Sequence, residues 1–145
     1  MAQRQTRAVL FACNWNTVRS PMAAALLQRL AGDAMRIESC GLEAGESLDP
    51  FAWAVMKEIG IDLTGHRPQR FEALDGVDFD LVVTLSPQVE ARAAAAARDL
   101  GAGAESWACA DPTIEEGSRE HRLEAYRRVR DDLDKRVLER FGVAG

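Results

Sequence analysis

The 145 residues include 47% hydrophobic side chains and carry a formal net charge of −5, which favours one compact domain over residues 1–145 and excludes a generally basic surface for DNA or RNA. No apolar run approaches the roughly 18 residues that a membrane span needs, and the polar stretch 1–7 carries no export signal. Three cysteines (Cys13, Cys40 and Cys109) without such a signal predict reduced thiols in a cytoplasmic protein rather than a disulfide framework.

Two strand-helix units are predicted in the first half of the chain. Residues 8–12 form an apolar run without polar alternation, which is typical of a strand covered on both faces in a parallel sheet. The pair Ser20-Pro21 matches an N-cap followed by a first helical residue, so a loop joins this strand to a helix N-terminus. A weaker strand over 35–39 leads to a second such pair, Asp49-Pro50, and the helix that follows ends at Gly60.

The second half of the chain repeats the alternation of strands and helices. Turn residues interrupt any periodicity just after the second helix, while β-branched residues and alanines mark the next strand and helix. The predicted elements are one helical turn within 62–76, a strand over 79–85, a helix from Ser86-Pro87 to about Leu100, a strand over 104–109, the polar pair Asp111-Pro112, and a helix from about Ser118 to Phe141.

This alternation predicts a single three-layer α/β domain. Strands separated by helices form parallel pairs through right-handed crossovers, and helices then cover both faces of the sheet. About four strands fit the length, in the order 2-1-3-4. That order places the ends of strands 1 and 3 at a topological switch point, where proteins of this class bind ligands.

The segment between the first strand and the first helix carries the clearest chemical motif, C-x5-R-S. Only Cys13 has an arginine six residues later, since glutamates stand at that position after the other two cysteines. Backbone N–H groups between a strand end and a helix N-terminus converge on one point, and the helix dipole adds positive potential there. The motif therefore predicts a phosphate-binding loop, with the substrate-binding residues Asn14, Trp15, Asn16, Thr17, Val18 and Ser20.

Two side chains of this loop are candidates for catalysis. Arg19 can clamp two phosphate oxygens in a bidentate arrangement that lysine cannot supply. The positive potential of the loop favours the thiolate form of Cys13, and attack of that thiolate on phosphorus gives a cysteinyl-phosphate intermediate. This chemistry uses no metal and no cofactor.

The segment VLFACNWNTVRSPMAAALL resembles the first loop and helix of the low-molecular-weight protein tyrosine phosphatases. Further stretches are similar to that family in the correct order: residues 37–41 to the end of its second strand, 60–69 to the segment after its second helix, 79–85 to its third strand, and Asp111-Pro112 to its DP loop. The resemblance implies the same fold and hydrolysis of a phosphorylated protein or a small aryl phosphate.

Asp111 is the candidate general acid. Cys13 and Asp111 both follow predicted parallel strands, so both are expected at the carboxyl edge of the sheet. A carboxylic acid held over the loop can deliver a proton to the departing oxygen. The DP loop of the family that the chain resembles implies the same role for Asp111.

The resemblance also implies a set of supporting residues around the loop. Asn16 is expected in a left-handed backbone conformation, which asparagine tolerates better than most residues. Ser39 and His66 are expected to hydrogen-bond Asn16. Ser20 is predicted both to cap the helix and to donate a hydrogen bond to the sulfur of Cys13.

Two residues depart from the family pattern and leave substrate selectivity open. Trp15 stands where the family usually has glycine, and Thr113 stands where many active members have an aromatic residue. A tryptophan at the rim of the loop either stacks against an aryl phosphate or narrows the pocket. The second outcome would make the protein a phosphate-binding regulatory module without turnover.

Arsenate reductases share this fold and first loop, and they offer a further alternative. They resemble redox enzymes in needing additional cysteines, which resolve the arsenic adduct as a disulfide. After the third strand, where many of them carry such a cysteine, this chain reads Thr84-Leu85-Ser86. Cys40 and Cys109 are the remaining candidates for that role.

Overall fold

The computed structural model describes residues 6–142. Four strands form one parallel sheet in the order β2-β1-β3-β4, which confirms the predicted strand order. The strands are β1 (Ala8–Cys13), β2 (Arg36–Gly41), β3 (Leu81–Thr84) and β4 (Gly103–Ser106). Residues 1–5 and 143–145 of the predicted domain lie outside the described residues.

Four α-helices cover the sheet on both faces. Helices α1 (Arg19–Ala31), α2 (Pro50–Lys57) and α4 (Arg119–Phe141) pack on one face, and α3 (Glu90–Leu100) packs on the other. Single 3-10 turns occur at Gly32–Ala34, Phe71–Leu74, Pro87–Val89 and Pro112–Ile114. Within residues 6–142 no helix is both long and apolar enough to cross a membrane.

The two faces of the sheet bury alternate residues of each strand. Val9, Phe11 and Cys13 of β1 belong to the larger core, beneath α1, α2 and α4. Leu10 and Ala12 belong to the smaller core beneath α3. This alternation follows from the period of two in strand side chains, and it places Cys13 on the same side of the sheet as α1.

Several predicted boundaries shift in the structure, including those of β2 and β3 and the end of α2, which is Lys57 rather than Gly60. Helix α1 begins at Arg19 with Val18 at its N-cap position, so the prediction that Ser20 caps this helix was wrong. Ser86 precedes a 3-10 turn rather than α3 itself, and its side chain makes no capping hydrogen bond. Strand β4 ends at Ser106 rather than at residue 109, and Trp107 N–H makes the last hydrogen bond to β3, to the Thr84 carbonyl (2.8 Å).

Candidate active site

The loop from Cys13 to Arg19 lies at the carboxyl edge of the sheet, between β1 and α1. Cys13 is the last residue of the central strand, and α1 begins with Arg19. The segment that follows β4 brings Asp111 to the same edge. The structure therefore places the thiol, the guanidinium and the carboxyl that the sequence singled out around one position.

The carbonyl groups of this loop are held outward by the segment that follows β2. Four backbone N–H groups of residues 42–49 donate to them, over distances between 2.9 and 3.1 Å. In each peptide unit the N–H points opposite to the C=O, so outward carbonyls direct the loop N–H groups inward. The bonds are Leu42 N to Cys13 O, Glu43 N to Asn14 O, Gly45 N to Trp15 O, and Asp49 N to Thr17 O.

Asn16 is the centre of the polar network that supports the loop. It is completely buried and adopts the left-handed conformation, with φ of 59°. Its amide nitrogen donates to Ser20 Oγ (2.8 Å) and to Ser39 Oγ (2.9 Å), and its amide oxygen accepts from Gln69 N–H (3.0 Å). His66 Nε2 lies 2.9 Å from the Asn16 carbonyl oxygen, which fixes the proton on Nε2. The expected contacts of Ser39 and His66 are both present.

We expect Asn16→Ala to lower the free energy of unfolding by about 3 kcal/mol, because three side-chain hydrogen bonds are lost and alanine is strained at positive φ. Asn16→Gly loses the same bonds without that strain, so it should remain about 1 kcal/mol more stable than the alanine variant. Urea denaturation of the two variants measures the difference. Equal and small losses in both would contradict the role given to Asn16.

Gly41, the last residue of β2, lies very close to the backbone of the loop. A Cβ atom at this position would overlap the Glu43 carbonyl oxygen and lie 2.9 Å from Asn16 N. We expect Gly41→Ala to displace the loop, to destabilise the fold by about 1–3 kcal/mol and to slow turnover. Gly103→Ala is the matched control in a second strand, since its Cβ would make only ordinary contacts, the nearest at 3.6 Å. If urea denaturation shows equal losses for the two variants, the close approach at Gly41 has no energetic consequence.

Ser20 lies in the first turn of α1 and contacts the sulfur of Cys13. Its Oγ is 2.9 Å from Cys13 Sγ, and both residues are buried. Because Asn16 Nδ2 donates to Ser20 Oγ, the serine proton has two acceptors in reach, the Cys13 sulfur at 2.9 Å and the more distant Cys40 carbonyl oxygen at 3.4 Å. Donation to a thiolate stabilises its charge. Ser20 is the second residue of α1, so it does not occupy the N-cap position.

Arg19 is held by the segments that follow β3 and β4. Its guanidinium donates from Nη1 to the carbonyl oxygens of Leu85 (3.4 Å) and Cys109 (3.3 Å). Nη2 lies 4.0 Å from Asp111 Oδ2. Arg19 is 8% exposed, so its orientation is set by packing and by these carbonyls.

Asp111 is oriented by its neighbour Thr113. The backbone N–H and the hydroxyl of Thr113 both donate to Asp111 Oδ1, over 3.0 and 2.6 Å. This leaves Oδ2 on the side of Arg19. The side chain of Asp111 is 39% exposed, so an incoming substrate can reach it. Thr113, where many family members have an aromatic residue, thus has a defined contact in this chain.

Tyr126 and Asp49 join α4 to α2 beside the loop, and sequence reasoning assigned them no such contact. Tyr126 Oη donates to Asp49 Oδ2 (2.8 Å), while Asp49 Oδ1 accepts from the N–H groups of Phe51 and Ala52 at the start of α2. Burial and the hydrogen bond to Asp49 raise the pKa of Tyr126 well above its usual range. The cap-proline pair identified Asp49 as a helix start, but nothing local in the sequence pointed to Tyr126.

The three cysteines occupy different environments. Cys40 is completely buried with Leu10 and Ala12 beneath α3, on the opposite face of the sheet from Cys13. Burial raises the pKa of the Cys40 thiol far above its usual range. Cys109 is partly exposed near Arg19, and burial raises the pKa of its thiol to about 11. All three are free thiols.

The remaining predicted loop residues differ in how far they are exposed. Val18 is buried in the larger core, whereas Asn14 and Thr17 are partly exposed. Trp15 is 52% exposed. The bulky residue that departs from the family pattern therefore lies at the solvent-facing rim of the loop, while its backbone is part of the row of outward carbonyls.

These features define a class of α/β enzymes that bind an oxyanion beside a cysteine, at the junction of a strand and a helix. The features are the parallel sheet, the loop of inward N–H groups and the thiol at the head of that loop. A sequence model of one such family, described as low molecular weight phosphotyrosine protein phosphatase, matches residues 8–141. The chain belongs to this family.

Individual relatives include both phosphatases and arsenate reductases. The chain is 30% identical over 135 residues to an arsenate reductase of Bacillus subtilis, covering 93% of this chain and 95% of the relative. It is 33% identical over 131 residues to an arsenate reductase of Halalkalibacterium halodurans, covering 90% and 92%. Among solved structures, an arginine phosphatase of Geobacillus stearothermophilus has a TM-score of 0.74 and 26% identity, over 94% of this chain and 90% of that one.

Proposed function

We propose that this protein hydrolyses phosphomonoesters, with phosphotyrosine in proteins as the substrate class, through a cysteinyl-phosphate intermediate. The observation that carries this proposal is the loop itself. Its N–H groups point inward from outward-bonded carbonyls, Cys13 lies at its head, and Asp111 faces Arg19 across the site. The half-exposed Trp15 at the rim supports an aromatic substrate, because its ring can stack on a phenyl group.

In the first step, the thiolate of Cys13 attacks phosphorus while the bond between phosphorus and the ester oxygen breaks. Protonated Asp111 donates its proton from Oδ2 to the departing oxygen, which leaves as an alcohol. The inward N–H groups and Arg19 hold the equatorial oxygens, where negative charge is concentrated. Ser20 donates to the sulfur, which stabilises the thiolate before attack.

In the second step, water attacks phosphorus and the bond between phosphorus and sulfur breaks. Asp111, now a carboxylate, accepts a proton from that water, and Cys13 leaves as a thiolate. Inorganic phosphate is released, and both groups regain their starting protonation states. The hydrogen bond from Ser20 acts on the same sulfur charge in both steps.

Arsenate reduction is a second candidate function, favoured by the names of the relatives in Bacillus subtilis and Halalkalibacterium halodurans. That reaction needs two thiols in addition to the arsenate, since the arsenic is reduced while a disulfide forms. Cys40 lies across the sheet from Cys13, and Ser86 follows β3. Cys109 or an external thiol is therefore the donor that this second proposal requires.

One assay separates the two functions. Purified protein is supplied with an aryl phosphate in one arm, and with arsenate and a panel of thiol donors in the other. Phosphate release without arsenate reduction supports hydrolysis. Arsenate reduction that is lost in Cys109→Ser or that requires one external thiol, without phosphate release, supports the second function. Binding of phosphate without either reaction contradicts both.

A further inference from the structure

Two arginines in the first turn of α4 stack on one aromatic ring beside the candidate site. The guanidinium carbon of Arg122 lies 4.6 Å from the centroid of Phe51, and that of Arg119 lies 5.8 Å from it. The ring of Phe51 also meets Tyr126 edge-on at 5.4 Å. These four residues are called the Phe51 cluster below.

The charges of the Phe51 cluster are not used in ion pairs of the fold. Other arginines of α4, such as Arg127 and Arg130, bind carboxylates directly. Within residues 6–142, neither Arg119 nor Arg122 has a carboxylate within 4.0 Å. Both also lie at a helix N-terminus, where the helix dipole disfavours positive charge. Stability of the helix therefore does not explain two cations at this place.

Tyr126 connects the Phe51 cluster to the candidate site. Its hydroxyl donates to Asp49, whose own N–H donates to the carbonyl of Thr17 in the loop. Arg122 is thus linked to the loop through Phe51, Tyr126 and Asp49, on the α2–α4 side of the loop.

Arg119 and Arg122 place two guanidinium groups together in a protein whose net charge is negative. A net charge of −5 repels a substrate that carries negative groups besides its phosphate. A pair of arginines held by an aromatic ring at the rim reverses that repulsion at one point. The planar guanidinium is also suited to binding carboxylates and phosphates while it remains stacked.

We propose that Arg119 and Arg122 form a second anion-binding subsite, which selects phosphorylated peptide segments with an acidic side chain close to the phosphorylated residue. This selectivity rests on the proposed phosphatase function, because the phosphate itself occupies the loop at Cys13. The subsite recognises the flanking carboxylate and takes no part in the chemical step. Arg119 and Arg122 are therefore specificity-determining residues.

The test compares two phosphotyrosyl peptides that differ only in carrying glutamate or glutamine beside the phosphotyrosine. Values of kcat/KM are measured for wild type, for Arg119→Gln with Arg122→Gln, and for Arg98→Gln with Lys135→Gln. The last variant removes the same charge from exposed positions on α3 and late in α4. An aryl phosphate without a second anion is the reference substrate. Equilibrium binding of both peptides to Cys13→Ser chains, with and without the two arginines, is measured in parallel.

We expect the kcat/KM of wild type to be about three- to ten-fold higher for the glutamate peptide than for the glutamine peptide. One or two partly exposed ion pairs contribute a free energy of this size. The preference should disappear in the Arg119/Arg122 variant and at about 1 M salt, where the screening length is only about 3 Å. It should persist in the Arg98/Lys135 variant, and turnover of the aryl phosphate should be the same in all three proteins.

Failure of the subsite and failure of the proposed function give different results. Hydrolysis of the aryl phosphate with equal rates for the two peptides overturns the subsite and leaves the function intact. Arginine-dependent preference in binding, without hydrolysis of any substrate, overturns the function and supports the subsite. A preference that falls equally in both double variants assigns the effect to net charge and overturns the proposal.

Discussion

Cys13→Ser is expected to lower kcat for an aryl phosphate by at least about 10⁴-fold, because the variant lacks the thiolate that forms the covalent intermediate. A serine hydroxyl is protonated at neutral pH and is a much weaker nucleophile than a thiolate, and the side chain that contacts Cys13 Sγ is the hydroxyl of Ser20, which is not a base. The measurement is single-turnover and steady-state hydrolysis at matched protein concentration.

Cys40→Ser is the matched control for this prediction. Cys40 is a second buried cysteine, in register with Ala12 next to Cys13, but its side chain lies on the other face of the sheet. Its substitution should leave kcat per folded molecule within a factor of about two, even where stability falls. Binding of inorganic phosphate to Cys13→Ser shows that its loop is intact. Equal activity in Cys13→Ser and wild type would remove the proposed nucleophile.

Asp111→Asn is expected to lower kcat by about 10²–10⁴-fold for an alkyl phosphate, which needs a proton on its departing oxygen. The loss should be much smaller for 4-nitrophenyl phosphate, because nitrophenolate leaves readily without protonation. The asparagine side chain keeps the shape and one acceptor for Thr113, so the loop geometry is retained. A series of phosphate esters with graded leaving groups measures this dependence.

Glu115→Gln serves as the control carboxylate on the same loop. Glu115 lies 3.4 Å from His121 and has no contact with Arg19, so its variant should show no dependence on the leaving group. A loss in Asp111→Asn that is the same for every ester would indicate a binding defect. Asp111 would then orient Arg19 rather than deliver a proton.

The strands and the position of the loop could be predicted because their signals are local, and the strand order followed from the switch point expected between strands 1 and 3. Residues 8–12 and 81–83 are apolar without interruption, and the pair Asp49-Pro50 marks a helix start that the structure confirms. Each of these signals depends on neighbours in the chain. They were sufficient to place Cys13 and Asp111 at the same edge of the sheet.

The contacts that hold the site could not be predicted in the same way, because they join distant residues. Gln69 reaches Asn16 across 53 positions, and Tyr126 reaches Asp49 across 77. For Ser20, the local serine-proline signature predicted a helix cap that the structure contradicts, whereas the separately predicted contact with the sulfur of Cys13 is present. Likewise, the face on which Cys40 lies depends on strand register, which a single sequence does not reveal.

Support of the loop and choice of substrate depend on different groups of this protein, so evolution can change the second without the first. Backbone hydrogen bonds to the outward carbonyls support the loop, whereas side chains at its rim face the substrate. Main-chain N–H groups of residues 42–49 bind four of the loop carbonyls, and His66 binds that of Asn16, so a new side chain at Trp15 or Thr17 leaves these supporting bonds in place. Substrate range can therefore diversify by exchange of rim residues while the reaction machinery is inherited unchanged. The same arrangement recommends these two positions for directed evolution toward other phosphate esters.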